Sequence, residues 1–502
     1  MFIPLSLLAL SSYSPLSSPP ITLRRVAAPK MTGVHILIFP YPAQGHMLPL
    51  LDFAHQLASR GVTITILVTP KNLHLLNALL SVHPSIGTLV LPFPANQNLP
   101  AGVENVKELP PDGFRHMMRN LRELRGEIVE WFRRHPSPPT AIVSDLFLGF
   151  TNDVAAEVGV RRYVFSSSGA FALSVIYSLW REMPKRENPN DDGEVLRFPD
   201  IPSCPEFPWW QISPVYRNYA DGDQNDEFFR ECFLANILSY GLVCNSFTEL
   251  ERVYFKHLME YLGHDRVWAV GPLLPLEKGQ AERGGLSSIS TTDIISWLDS
   301  CQDNSVVYVC FGSQSILTNQ QMEAIALGLE KSGVRFIWST RGPTKGHVEE
   351  GYNSIPPGFE DRVAGRGMVI KGWAPQVLIL QHQAVGAFLS HCGWNSTLEG
   401  IVAGVPLLTW PMGADQYTNA ILIADEHRIG TRASEGDETV PNSDELAQIL
   451  IDSLSQEGKG VEQRERALHL RQTTMDSVNK GGDSFNNLED FVMHLFEEAS
   501  KM

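Results

Sequence analysis

The feature that most constrains this chain is the segment VGAFLSHCGWNSTLEGIVAG, residues 385–404. Val385 to Leu389 form a short apolar run that suits a parallel strand buried on both faces. His391, Cys392 and Gly393 then make a tight turn, and Asn395 or Ser396 is placed to cap a helix beginning near Thr397. Such a helix start points unpaired backbone N–H groups and the positive end of its dipole past the strand end, which makes it a natural phosphate site. Asn395, Ser396 and His391 add side-chain donors there, and Glu399, one turn on, can accept from ribose hydroxyls. A second apolar run, GVPLLTWPM, reads as a neighbouring strand and is followed by Asp415, Gln416 and Asn419.

The wider stretch, Trp373 to Gln416, spans 44 residues and carries Trp-Ala-Pro-Gln, His-Cys-Gly-Trp-Asn-Ser, Glu and Asp-Gln in order. It offers a nucleotide-sugar an aromatic plate (Trp373), a phosphate cradle (His391 to Ser396) and a pair that reads hydroxyls (Asp415, Gln416). It resembles the signature box of the plant UDP-sugar-dependent glycosyltransferases, the inverting family 1 enzymes with two Rossmann-like domains of the GT-B type. That resemblance extends over nearly everything from Met31 to the end. It implies that Trp373 stacks on uracil while Ala374 and Gln376 read its edges or the ribose. It also implies that His391 contacts a phosphate, Asn395 and Ser396 the other phosphate oxygens and Glu399 the ribose, and that Trp394, Asp415 and Gln416 face the sugar. Glutamine at the last box position is associated with glucose in the family, and leaves xylose and rhamnose donors open. Each residue has a plainer reading: Trp373 as core, His391 as a satisfied strand-end histidine, Asp415 as a helix cap. A metal site at His391–Cys392 is not expected, because no second cluster has ligand spacing.

The fold class follows from alternation. Val34 to Phe39, GVTITILVTP and LVLPFP read as strands, with a helix from the turn PYPAQGH to near Gly61 and a charged helical stretch from Phe114 to Arg134. TAIVSD and RRYVFS continue the strands. Strands alternating with helices predict doubly wound parallel α/β sheets, with ligands at the carboxyl ends of the strands. His46 lies just past the first strand and Asp145 ends TAIVSD, so both fall on that rim. A carboxylate that fixes the tautomer of an imidazole leaves the other nitrogen to take a proton from a substrate hydroxyl. Alone, His46 reads as a polar residue at a helix start and Asp145 as a cap. The match of PAQGHMLPLLDFA and IVSDLFLGF to the family's catalytic segments implies instead that His46 is the base and Asp145 its partner. By the same resemblance Ser166, or a neighbouring serine, touches the sugar or its phosphate; a helix cap is the alternative. FPDIPSCPEFPWWQIS reads as an irregular loop in which Trp209 and Trp210 either line an acceptor pocket or pack the loop.

A length of 502 residues calls for two domains of roughly 200–250 residues each. The polar, Gly/Ser-rich stretch 276–293 is the expected linker between an acceptor-binding domain, 31–275, and a UDP-sugar-binding domain, 294–483. In the second, SVVYVCFGS is a strand whose end places Ser313 to donate to the diphosphate. The closing helix, 484–502, carries Phe485, Leu488, Phe491, Val492, Leu495 and Phe496 on one stripe, and resemblance implies that it packs on the first domain. Residues 1–30 are Ser- and Pro-rich without acids, and read as a disordered leader or upstream start, with plastid targeting as the alternative.

Forty Lys and Arg against 56 Asp and Glu argue against nucleic acid or an anionic membrane as partner. No apolar run is long enough to cross a bilayer. Six scattered cysteines without CxxC spacing suit free thiols in a reducing compartment. The expectation is a cytoplasmic, monomeric enzyme without cofactor or metal, taking a UDP-sugar and a small hydroxylated, aromatic acceptor. A flavonoid or other phenolic is the acceptor class that the resemblance implies. The alternatives are a UDP-xylose or UDP-rhamnose donor, or a silent nucleotide-sugar-binding protein.

Overall fold

The computed structural model describes residues 33–95, 99–109, 113–273, 287–341 and 351–501. The leader 1–30 and residues 276–286 of the expected linker lie outside the described residues.

Seven strands build the first sheet: β1 (His35–Phe39), β2 (Thr63–Val68), β3 (Gly87–Val90), β4 (Ala141–Asp145), β5 (Arg161–Ser166), β8 (Gly241–Cys244) and β9 (Val267–Ala269). Their order is β3-β2-β1-β4-β5-β8-β9 and every pairing is parallel. All five residues of β1 and of β4 are buried, as a sheet covered by helices on both faces requires. Between β5 and β8 the two short strands β6 (Val195–Arg197) and β7 (Glu206–Pro208) form an antiparallel ribbon. This corrects the expectation of an irregular loop for 198–213, since Trp209 to Gln211 also form a helical turn.

The second sheet holds β10 (Val306–Cys310), β11 (Arg335–Thr340), β12 (Gly367–Lys371), β13 (Val385–Ser390), β14 (Leu407–Thr409) and β15 (Gly430–Arg432). Its order, β12-β11-β10-β13-β14-β15, is again all parallel. Each sheet therefore reverses its winding once, between β1 and β4 and between β10 and β13. A doubly wound sheet opens its ligand crevice at that reversal, outside the carboxyl ends of the strands.

One helical expectation changes. The charged stretch 114–134 is two helices, Gly113–Arg122 and Arg125–Arg134, because the chain breaks at Glu123–Leu124 to bury Leu121, Leu124 and Ile128 together. The closing helix, Asp483–Ser500, lays Leu488, Phe491, Val492 and Leu495 on the first sheet's outer layer beside Ile36, Phe53 and Trp268. Each such side chain contributes about 1.5–3 kcal/mol by leaving water, and Trp268 Nε1 donates to Asp490 across the contact at 2.7 Å.

From Gly33 onward the chain forms one compact unit. A single apolar cluster runs from the first sheet through Phe171 and Tyr254 to Trp394 and the second sheet. Polar contacts join the halves as well. Tyr254 donates its hydroxyl to Glu426, and His427 Nε2 lies 2.9 Å from the Leu250 carbonyl. No helix among the described residues is long and apolar enough to cross a membrane, and all six cysteines are free.

Candidate active site

The two winding reversals face one another. Asn395, past β13, donates its amide to the Gly45 carbonyl, past β1, at 2.9 Å. Ser168, past β5, donates to Asp415 Oδ2 at 2.9 Å.

On the first-sheet side the helix Gln44–Ala58 starts without a side-chain cap, and His46 is its third residue. His46 Nδ1 lies 3.0 and 3.1 Å from the two carboxylate oxygens of Asp145, the last residue of β4. Asp145 is fully buried, and its Oδ1 also accepts the Phe147 amide at 2.9 Å. A carboxylate held this way makes Nδ1 the donor and leaves Nε2 as the proton acceptor. The ring is wedged between Phe147, 4.6 Å away, and Tyr41, 5.5 Å away. Burial lowers the pKa of His46, but the Asp145 charge and hydrogen bond, with the Asp415 charge behind them, outweigh it and leave the imidazole above its ordinary 6.5.

The serine turn after β5 divides its labour. Ser166 is wholly buried; its hydroxyl donates to the Ser168 carbonyl and accepts the Ser168 amide, so it shapes the turn instead of meeting a ligand. This corrects the assignment of Ser166 itself. Its neighbours reach the site: Ser167 Oγ lies 3.1 Å from His46 Nδ1, and Ser168 holds Asp415.

On the second-sheet side the close approach of backbone to ring dictates two glycines. A Cβ at Gly312, where φ is +75°, or at Gly393 would stand 2.5 Å from His391 Nε2. Packed between them, His391 is pushed down to about 4 by burial, so it is neutral and can donate one ring N–H. Its Nδ1 is buried without a hydrogen-bond partner among the described residues. The following helix runs Trp394–Ala403 with Gly393 as N-cap. It therefore starts three residues before the expected Thr397, because Gly393 already takes the extended conformation of a cap (φ −57°, ψ 143°). Asn395 and Ser396 lie within the first turn and do not cap it. The open N–H groups of that turn point past β13.

The remaining box residues surround this start. The indole N–H of Trp394 donates to the Asn245 carbonyl at 2.7 Å and only 3% of the residue is exposed, so its side chain bolts the halves together. Gln376 donates to Ser396 Oγ at 3.0 Å and Glu399 Oε2 at 2.6 Å, and accepts from Tyr308. Trp373 is half-buried, with its indole N–H unpartnered among the described residues, and Ala374 beside it is buried. Ser313, past β10, is half-buried, and its carbonyl accepts from Arg341, which also donates to the Lys107 carbonyl of the first half. Gln416 accepts the Met412 and Gly413 amides on Oε1, so Nε2 is its remaining donor group. Burial raises the pKa of Asp415, against hydrogen bonds from Ser168 and Asn419 and the pull of His46. Among the described residues no group of three or more His, Cys, Asp or Glu is placed to hold a metal ion.

Glu251 is a residue that the sequence reading passed over. It sits at a non-helical kink (φ −134°, ψ 30°) in the helix Thr248–Leu262, and its buried carboxylate accepts the Ala170 and Phe171 amides at 2.9 and 2.8 Å. It thereby caps, from a distance in sequence, the helix that follows the serine turn. Nothing in NSFTELE announces this, because the partner amides lie some eighty residues earlier.

The chain is similar to known proteins along most of its length. The family model for UDP-glucoronosyl and UDP-glucosyl transferases matches residues 287–434. UDP-glycosyltransferase 89B2 of Stevia rebaudiana is 55% identical over 464 residues, covering 92% of this chain and 98% of its own. Flavonol 3-O-glucosyltransferase UGT89B1 of Arabidopsis thaliana is 52% identical, covering 93% and 97%. The crystal structure of Arabidopsis thaliana UGT89C1 complexed with UDP-L-rhamnose superposes with a TM-score of 0.76 at 39% identity, over 92% of this chain and 99% of that one. With two parallel sheets in the GT-B arrangement and this likeness along nearly its whole length, the chain belongs to the plant family 1 UDP-glycosyltransferases.

Proposed function

We propose that the protein transfers glucose from UDP-glucose to a hydroxyl of a flavonoid or other small phenolic, inverting the anomeric centre, with His46 as general base. The observation that carries this reading is the His46–Asp145 pair, with Nδ1 held 3.0 Å from a fully buried carboxylate and opposed across the site by Asp415. The acceptor oxygen attacks the anomeric carbon as its proton passes to His46 Nε2, and the bond from that carbon to the diphosphate oxygen breaks. Single displacement turns a UDP-α-sugar into a β-glycoside. The charge released on the diphosphate meets the open start of the helix Trp394–Ala403 and the neutral His391. The proposed steps use no metal.

Trp373, Ala374 and Gln376 are assigned to the uridine, Glu399 to the ribose, Ser313, Asn395 and Ser396 to the phosphates, and Asp415 with Gln416 to the sugar. Asp415 accepts up to four hydrogen bonds, and Ser168 and Asn419 supply two, so sugar hydroxyls have room on it. A flat aromatic acceptor suits the wall beside His46, where Phe147 meets Phe114 at 6.0 Å and Phe233 at 6.1 Å. A monomer is the active species proposed, and the cytoplasm its compartment.

The test is a donor panel of UDP-glucose, UDP-xylose and UDP-rhamnose with one flavonol, reading UDP release and product. A rhamnoside as the main product would favour the second reading, for which the likeness to the protein crystallised with UDP-L-rhamnose is the supporting observation. No UDP release with any donor or phenolic acceptor would leave a silent binder.

A further inference from the structure

Arg162, the second residue of β5, is 1% exposed and sits directly behind Asp145. Its guanidinium is spread over four neutral acceptors. Nε donates to Ser144 Oγ at 2.9 Å, Nη1 to Asn236 Oδ1 at 2.8 Å and Ser239 Oγ at 2.6 Å, and Nη2 to the Asp145 backbone carbonyl at 3.3 Å. None of these carries charge. A buried cation is normally paired with an anion or replaced by an apolar side chain. Here the anion that its field reaches is the Asp145 carboxylate, across the strand end that it grips.

We propose that Arg162 is a positioning residue for the transfer reaction: it fixes the end of β4 and supplies the buried positive charge that balances Asp145 behind His46. This rests on the reading of His46 as base.

The charges around His46 are Asp145 from β4 and Asp415 from the second half, while Tyr41 stays neutral because burial raises it well above its ordinary value. Around Arg162 stand Asp145 and the neutral Tyr177 and Cys232, both pushed up by burial. Burial lowers Arg162 itself to about 10, which leaves it charged at neutral pH. Two acids without Arg162 would hold the imidazole proton too firmly for a base. Arg162 offsets one of them, so the acid limb of activity falls lower than the acids alone would set it.

The experiment compares kcat/KM against pH for the wild type, Arg162→Lys, Arg162→Gln and Asn236→Asp. The last replaces the amide oxygen 2.8 Å from Nη1 by a carboxylate, cancelling the charge in place. A second readout titrates His46 by NMR in histidine-labelled protein, and melting temperature reports the fold. Arg162→Gln and Asn236→Asp should raise the acid limb and the His46 midpoint by about one pH unit, and Arg162→Lys should leave both in place. An unmoved limb in the two charge-removing variants, or an equal move in Arg162→Lys, overturns the proposal. If Arg162→Gln does not fold, Asn236→Asp decides alone. Near-normal turnover in His46→Ala would instead sink the base reading, and the NMR midpoints then still decide the electrostatic claim.

Discussion

Replacing His391 by glutamine should make the protein less sensitive to acid, by an amount that the burial of the ring sets. The imidazole is packed against Gly312 and Gly393 and held near 4, against 6.5 for a free histidine. A base with a depressed folded pKa works against stability as pH falls, because the unfolded chain takes up the proton and the folded one refuses it. The loss begins at 6.5 and is complete only below 4. Between pH 7 and pH 5 this single group costs the wild type about 2 kcal/mol, from a shift of roughly 2.5 units at 1.36 kcal/mol each, of which 1.5 units lie above pH 5. Glutamine has no proton to refuse. The assay is urea unfolding of both proteins at pH 7 and pH 5, with slopes checked for equality. Every other histidine, including the buried His35 and the raised His46, is common to both proteins and drops out of the difference. The wild type should lose about 2 kcal/mol more than the variant. Parallel losses would refute the reasoning, since they would mean that the ring takes up its proton freely inside the fold.

His46→Ala should lower turnover on the order of 100- to 10,000-fold, the usual worth of a positioned base, with UDP binding by calorimetry unchanged; an undiminished rate removes His46 from the chemistry. Because Asp145 and Asp415 outweigh burial at His46, the acid limb of wild-type kcat/KM should lie above pH 6.5, and Asp145→Asn should move it down. The same raised pKa gives the opposite sign in stability, with a contribution present below 6.5 and lost as pH rises through the folded value. Gly169→Ala puts a Cβ 2.7 Å from both Glu251 Oε1 and the Trp394 ring, and should cost about 1–3 kcal/mol as overpacking in a denaturation series, with donor KM raised. Trp394→Phe removes the donor to the Asn245 carbonyl and should cost about 1–3 kcal/mol by stranding that buried acceptor, read as a lower melting temperature.

What the sequence made legible is local. Apolar runs such as HILIF and VGAFLS predict buried parallel strands because their residues can go nowhere else, and the structure has both. The places of His46, just past β1, and Asp145, at the end of β4, were legible from the strand pattern, while their roles rest on the resemblance. Strand order was not legible, since it rests on pairings between residues tens to a hundred apart, and the edge strand β15, with only Gly430, Thr431 and Arg432, has no apolar signal. The helix starts at Trp394, three residues before the side-chain cap pattern predicts, because Gly393 serves as the cap. Ser166 was favoured over Ser167 and Ser168 because three adjacent serines carry no phase; only the turn geometry, with Ser166 folded back on Ser168, separates them.

The same geometry explains why a ligand box also reads as an interface. Trp394 reaches Asn245, Asn395 reaches Gly45, and Asp415 reaches Ser168, so three of its residues touch the first half, beside His46, in the turn after β5, and at Asn245, whose amide donates to the Ser166 carbonyl. Arg341 adds a fourth link through Lys107. The distance from His46 to Asp415 is thus fixed by contacts between the halves and not by either sheet alone. Glu251 sets the turn that carries Ser167 to His46 and Ser168 to Asp415. A change at Glu251 should therefore disturb base and sugar-reading groups together, where a change at Gln376 or Glu399 disturbs only the nucleotide side. Glu251→Gln keeps one oxygen for the Ala170 and Phe171 amides and should lower kcat and raise donor KM together, while Glu399→Gln raises donor KM alone. Equal patterns in the two variants would mean that the turn after β5 holds its shape without its buried cap.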